Sequence, residues 1–259
     1  AVGQGRKVEE SSSFGGGGSG GRARPDAVIE AKGLGKRFKL YRKDRDRIFE
    51  VFGRQQHAVL WALKDINFAI KPGEAMGIIG SNGAGKSTLL KLLAGVSRPT
   101  EGKLHVRAPI SSLLALGLGF HDSFSGRAHV SLHCTLQGME RRAVDDMVPD
   151  IIEFSELGDF IDYPVKTYSA GMKLRLGFAA AAFMDYDIFL IDAVLTVGDQ
   201  YFQRTCVRKI ESFIDAGKTI VLVSHDLHAV RSICDRAMWL RKGEVVDSGG
   251  AVDVVDAYV

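Results

Sequence analysis

An α/β fold is what the sequence predicts, from three short apolar runs that each read as a buried strand and each end on residues suited to phosphate or metal chemistry. Ala75–Ile79 runs into Gly80-Ser81-Asn82-Gly83-Ala84-Gly85-Lys86-Ser87, Tyr186–Ile191 ends at Asp192, and Thr219–Val223 leads into Ser224-His225-Asp226. Continuous apolar runs of this length, flanked by glycine and acidic residues, suit strands covered on both faces. Parallel strands of this kind bring their carboxyl ends to one crevice.

The first run carries the strongest signal. Gly80 to Ser87 is a complete GxxxxGK[ST] loop, and Thr88 with Leu89-Leu90-Lys91-Leu92-Leu93 continues it as an amphipathic helix. A strand, a glycine-rich turn and a helix start aim successive backbone N–H groups and the positive helix end at one point, where an anion belongs. The main chain of Ser81, Asn82, Gly83, Ala84 and Gly85 can wrap a polyphosphate, with Thr88 just behind. Lys86 reaches between the β- and γ-phosphates, and the Ser87 hydroxyl ligates magnesium. The expected ligands are a nucleoside triphosphate and Mg2+. A chance glycine-rich turn is the alternative, and the strand-to-helix context argues against it.

Before this core, residues 1–27 read as a Gly/Ser-rich leader, with Ser11-Ser12-Ser13 and Gly15-Gly16-Gly17-Gly18, too poor in apolar surface to offset the entropy of ordering. A tail that contacts a partner is the other reading of it. Residues 28–259 are long enough for one α/β domain, with about 112–180 set apart as a helical subdomain. With 34 basic and 31 acidic residues the net charge is +3, which gives no sign of a nucleic-acid-binding surface. One local basic cluster, Lys36–Arg47, interleaves Phe38 and Tyr41. It reads first as a solvated loop and second as a surface near anionic lipid or a membrane partner. Cys134, Cys206 and Cys234 are odd in number and lack metal-ligand spacing, as in a reduced, cytosolic setting. No apolar stretch is long enough for a membrane span and no signal peptide is evident.

In the second run, Asp192 stands where a carboxylate at a strand end would help hold magnesium beside the phosphate loop. In the third, His225 is placed for a γ-phosphate contact; a lone strand-end histidine is more often structural, but this one follows two nucleotide motifs. Between them lies Tyr168-Ser169-Ala170-Gly171-Met172-Lys173, followed by a small-residue helix over Leu174 to Met184.

Here the chain resembles a known family, the ATP-binding-cassette (ABC) proteins. YSAGM stands at the place of their LSGGQ-like signature, Val197-Gly198-Asp199 at their D-loop and His225 at their switch histidine. The resemblance implies the ABC-type phosphate-loop fold: a RecA-like mixed sheet core, an antiparallel β subdomain and a helical subdomain carrying the signature. It further implies a homodimer in which Ser169 and Gly171 of one chain cap the γ-phosphate held by the other, so that ATP binding joins the halves and hydrolysis parts them. By the same resemblance Phe38 stacks on adenine, with Tyr41 as the second candidate; either could instead belong to the core.

Within the family, the branch that exports bacterial cell-surface polysaccharide (capsule, O-antigen, teichoic acid) is the most similar. Ser97-Arg98-Pro99-Thr100-Glu101-Gly102, Leu116-Gly117-Leu118-Gly119-Phe120 with Ser125-Gly126-Arg127, and Leu195-Thr196-Val197-Gly198-Asp199 carry this likeness. It implies an ATPase at the cytoplasmic face of the inner membrane, held peripherally through two copies of an integral membrane permease. The insertion Tyr41 to His57, with Ile48, Val51 and Phe52 at helical spacing, reads equally as a surface excursion or as a polysaccharide guide. The chain stopping at Val259, without the further carbohydrate-binding domain of some O-antigen exporters, points to a capsule-type or simpler O-antigen system. A soluble regulatory ABC-type ATPase without a membrane partner is the alternative function.

Two positions depart from the family. Where a glutamate would activate the attacking water, this chain has Ala193, so ATP should bind but persist; loss of a general base costs about 10² to 10⁴ in rate. The intact motifs around it point to an introduced substitution, with a naturally asymmetric exporter as the other origin, and to a closed pair of cassettes with ATP and magnesium bound. At the Q-loop position stands His121, which could bond water or ligate magnesium weakly, or could simply face the membrane domain.

Overall fold

The computed structural model describes residues 26–41, 57–112, 121–192 and 200–259. Its described strands form two sheets. Strands β1 (Ile29–Tyr41), β2 (His57–Ile70) and β4 (Glu101–Val106) make an antiparallel sheet in the order β2-β1-β4. The second sheet runs β5-β6-β7-β3-β8-β9, with β3 (Ala75–Ile79), β5 (Ile110–Ser112), β6 (Ile188–Asp192), β7 (Thr219–Val223), β8 (Arg236–Arg241) and β9 (Glu244–Gly250). Its ladders are parallel except at the edge, where β9 returns antiparallel to β8. This is the ABC-type mixed sheet with an antiparallel companion, as the resemblance implied.

The side-chain period of a strand divides the core. Ala75 and Ile79, Phe189 and Ile191, and Ile220 and Leu222 join one apolar cluster, while Met76 and Ile78, Ile188 and Leu190, and Val221 and Val223 join another. Every one of these side chains is buried, which explains why the strands read as unbroken apolar runs. On the first face pack α5 (Gln200–Asp215), α6 (Leu227–Ile233) and α7 (Ala251–Tyr258). The second face takes α1 (Lys86–Leu93) and the antiparallel sheet, through Leu89, Leu90, Ile29, Leu34, Leu63 and Ile66.

A third cluster lies among α2 (Gly126–Leu136), α3 (Arg141–Ser155) and α4 (Ala170–Ala182). Helix α4 belongs to both neighbourhoods. Leu176, Ala179 and Ala180 face the helical cluster, whereas Phe178, Ala181 and Ala182 face the sheet. Its small residues let both partners approach closely, and a helix apolar on most sides is the expected outcome for one buried between two layers. The helix begins at Ala170, earlier than the sequence reading, because Ser169 caps it, and it ends at Ala182 with Phe183 as its C-cap.

Two expectations about the amino-terminal region change. Lys36–Tyr41 is strand rather than solvated loop, with Arg37↔Trp61, Phe38↔Leu60 and Tyr41↔His57 in register. Tyr41 and His57 are strand ends that pair with each other; residues 42–56, with Ile48, Val51 and Phe52, lie outside the described residues, as do residues 1–25. All three cysteines are buried, and burial pushes the Cys206 and Cys234 thiols up to about 12, so neither is a ready nucleophile. No described helix is long and apolar enough to cross a membrane.

Candidate functional site

Strand β3 delivers the chain into the phosphate loop, and α1 leaves it. Gly85 sits at the helix N-cap with φ +111°, a left-handed conformation, and a Cβ there would lie 2.6 Å from the Ala62 carbonyl oxygen and 2.8 Å from Leu63 Cδ2. Only glycine suits that position. Lys86 follows directly, its side chain curled back so that Nζ donates to the Gly80 carbonyl at 2.6 Å and the Ser81 carbonyl at 3.0 Å. Those two bonds keep a buried ammonium satisfied and hold it over the mouth of the loop.

A crevice of about 340 Å³ opens there, lined by Asn82–Thr88, Asp192, His225, Phe38, Leu60, Trp61 and Ala62. Three strand ends meet in it, as the sequence predicted. Asp192 closes β6, and β6 pairs with β7 beside β3. His225 follows β7 and is flanked by three local bonds: Ser224 Oγ accepts from the Asp226 N–H at 3.0 Å, and Asp226 caps α6 through the His228 and Ala229 N–H groups at 2.9 and 3.2 Å.

Electrostatics bind these groups into one site. Burial pushes the Asp192 carboxyl above its ordinary range, opposed by the positive charges of Lys86, His225 and Lys91. Burial likewise lowers the Lys86 ammonium, with Asp192 acting the other way. Each charge is thus partly stranded and partly relieved by its neighbour, which suits a place where phosphate and a cation arrive together. The hydroxyl of Ser87 and the carboxylate of Asp192 are oxygen donors, the set that a hard divalent cation such as Mg2+ takes.

Phe38 lines the crevice while Tyr41 does not, its ring lying beside His57. Leu60, Trp61 and Ala62 were not anticipated. They arrive because β2 pairs with β1, placing Leu60 opposite Phe38 and Trp61 opposite Arg37. Their only sequence signal is an apolar strand of unknown register. Of the expected site residues that are described, Ser81, His121, Ser169 and Gly171 do not line the crevice; the Ser81 carbonyl instead accepts from Lys86 Nζ. Ser169 and Gly171 stand at the amino end of α4, where Ser169 Oγ accepts from the Met172 N–H at 3.2 Å; Ser169 and Ala170 are exposed and Gly171 is half-buried. His121 packs its ring on Phe124, with centroids 4.7 Å apart. Ala193, Leu116–Phe120 and Val197-Gly198-Asp199 lie outside the described residues.

Residues 63–195, just over half of the chain, match the profile of the ABC transporter family. The O-antigen export system ATP-binding protein RfbB of Klebsiella pneumoniae is 44% identical over 197 residues, which cover 76% of this chain and 80% of that one. The chain belongs to the ABC transporter family. The teichoic acids export ATP-binding protein TagH of Shouchella clausii is 40% identical to the cassette over 229 residues, 87% of this chain but 63% of the relative. For TagH of Bacillus cereus the shares are 89% and 42%, so the cassette spans less than two thirds of these curated relatives. Its fold is that of solved cassettes. An ATP-binding cassette solved as a dimer in a post-hydrolysis state bound to ADP and Pi superposes with a TM-score of 0.71 at 22% identity, over 86% of this chain and 98% of that one. The ATP-binding subunit of an ABC transporter gives 0.72 at 20% identity, over 89% and 93%.

Proposed function

We propose that this cassette is the ATP-binding and ATP-hydrolysing motor of a polysaccharide exporter, working as a homodimer that closes around two ATP and drives two copies of a membrane permease. The observation that carries the reading is the crevice in which the phosphate loop, Asp192, His225 and Phe38 converge while the exposed amino end of α4 points elsewhere. Such a split leaves each chain half a site: one edge that binds a nucleotide and another that can cap a neighbour's. The names of its teichoic acid and O-antigen export relatives supply the cargo class, a cell-surface polysaccharide.

In this reading the backbone of Ser81 to Gly85 and the ammonium of Lys86 hold the phosphates, Thr88 lies behind them and Phe38 faces the base with Leu60 and Trp61. Ser87 and Asp192 would hold Mg2+, which supplies neutralisation of charge on the phosphates. His225 orients the γ-phosphate, and Ser169 and Gly171 of the partner cap it. With a methyl group at Ala193, the chain offers no carboxylate there to take a proton from the attacking water. Binding and pairing then outlast turnover. The cassette works at the cytoplasmic face of the inner membrane, attached through the permease.

The test is ATP turnover and ATP-driven pairing of the full chain beside Ala193→Glu, each reconstituted with the neighbouring membrane protein. Ala193→Glu should raise the hydrolysis rate by about 10² to 10⁴ with nucleotide affinity little changed. Equal, slow turnover by both proteins would overturn the assignment at 193, and pairing without any effect of the membrane protein on turnover would favour a regulatory ATPase.

A further inference from the structure

The residue that opens the signature string is buried, and its hydroxyl is occupied far from any nucleotide. Tyr168 is 6% exposed and donates from Oη to the Phe160 carbonyl at 2.6 Å. The same phenol oxygen packs directly against Gly126. A Cβ at Gly126 would lie 2.4 Å from Oη and 2.9 Å from Ile161 Cδ1, so the first residue of α2 must lack a side chain for the phenol to seat. Tyr168 directly precedes Ser169, the cap of α4.

The stretch just before Gly126 is sewn to the same place. The Val165 N–H donates to the Phe124 carbonyl at 2.9 Å and the Lys166 N–H to the Asp122 carbonyl at 3.1 Å. At its start stands a second buried side chain. His129, 5% exposed, places Nε2 2.8 Å from the His121 nitrogen and 3.0 Å from the His121 carbonyl oxygen. Either tautomer therefore closes on the main chain of the same residue: one accepts the N–H, the other donates to the carbonyl. Residues 121–126 are thus held by His129 at one end and by Tyr168 at the other.

We propose that Tyr168 and His129 are positioning residues that bind residues 121–126 to the approach of the signature, so that the amino end of α4 is presented at one fixed angle. The inference rests on the reading that this helix end caps a nucleotide held by a second copy. In the turn from the short 3-10 helix into α4, Lys166, Ser169 and Ala170 are exposed, while buried Val165 and its main-chain bonds fix the start of the turn. The buried phenol, bonded to Phe160 and packed on Gly126, fixes its last residue before the Ser169 cap, and an error of about 1 Å at such a contact is enough to weaken it strongly.

The experiment compares the full chain with Tyr168→Phe, His129→Leu and His129→Gln. Three quantities are read: ATP affinity of the dilute single chain, ATP-driven pairing by light scattering, and amide exchange of residues 121–127. Tyr168→Phe keeps the ring and loses the hydroxyl. It should weaken pairing by about five- to tenfold, the size of a buried hydrogen bond, and quicken exchange at 121–127, with single-chain ATP affinity within about twofold. His129→Leu should act in the same direction, and His129→Gln, whose amide can both donate and accept, should restore pairing. A chain that pairs normally while Tyr168→Phe and His129→Leu match it overturns the clamp alone, as does a parallel loss of ATP affinity and pairing, which marks general destabilisation. A chain that never pairs with ATP overturns the facing-cassette reading instead.

Discussion

At the residue scale, the site is a set of charges held short of full solvation. Asp192 has its folded pKa raised by burial above the value of the unfolded chain. Its contribution to stability is therefore largest at acid pH and is lost as pH rises through the folded pKa, leaving an ionised carboxylate that the neighbouring positive charges only partly compensate. Asp192→Asn should raise the melting temperature of the nucleotide-free protein at neutral pH, shrink that gain as pH falls towards about 4, and abolish the added stabilisation by magnesium with ATP. Melting curves across that range, with and without magnesium and ATP, decide it; an unchanged response to magnesium would remove Asp192 from the metal role. Lys86, whose ammonium burial also disfavours, is held by the Gly80 and Ser81 carbonyls.

Among the elements, the loop between β3 and α1 is the most tightly specified, because its backbone is pressed against β2. Gly85→Ala needs a left-handed alanine and a Cβ 2.6 Å from a carbonyl oxygen. The expected result is a folded protein, given the covered sheet around it, with ATP affinity reduced at least about tenfold; isothermal titration checks this, and retained affinity would mean that the loop can re-form elsewhere. The element hardest to read beforehand was the β1–β2 ribbon. Lys36–Tyr41 mixes basic with aromatic and aliphatic residues, which suit a solvated loop and an exposed ribbon alike, and only the pairing Phe38↔Leu60 shows that Phe38 reaches a wall of the crevice. Ser169 was legible as part of a signature, but its role as the cap of α4 follows from the observed bond to Met172.

At the scale of the whole molecule, α4 joins the helical cluster to the parallel sheet, and Phe178 is its central contact. The ring is fully buried, stacked near Phe154 at 5.9 Å and edge-on to Phe202 at 6.3 Å. Phe178→Ala should cost about 3–5 kcal/mol, measured by denaturant unfolding, and should loosen the signature helix from the sheet before the sheet itself opens. Amide exchange rising first in α2 to α4 is the expected pattern; uniform exchange would mean that the two layers unfold as one.

What the sequence determined by itself was whatever is contiguous. Eight consecutive residues encode a phosphate loop because its chemistry lies in local backbone geometry, and a strand end carries its acid or histidine to the sheet's carboxyl edge whatever the surrounding packing. The tertiary structure decided what depends on residues distant in the chain. Register between β1 and β2 brought Leu60 and Trp61 to the crevice, and packing between α2 and the approach to α4 set Tyr168 on the Phe160 carbonyl and His129 on the main chain of His121. Such contacts leave no periodicity or motif behind, since an apolar strand or a buried tyrosine reads the same in every register until the opposing surface is in place.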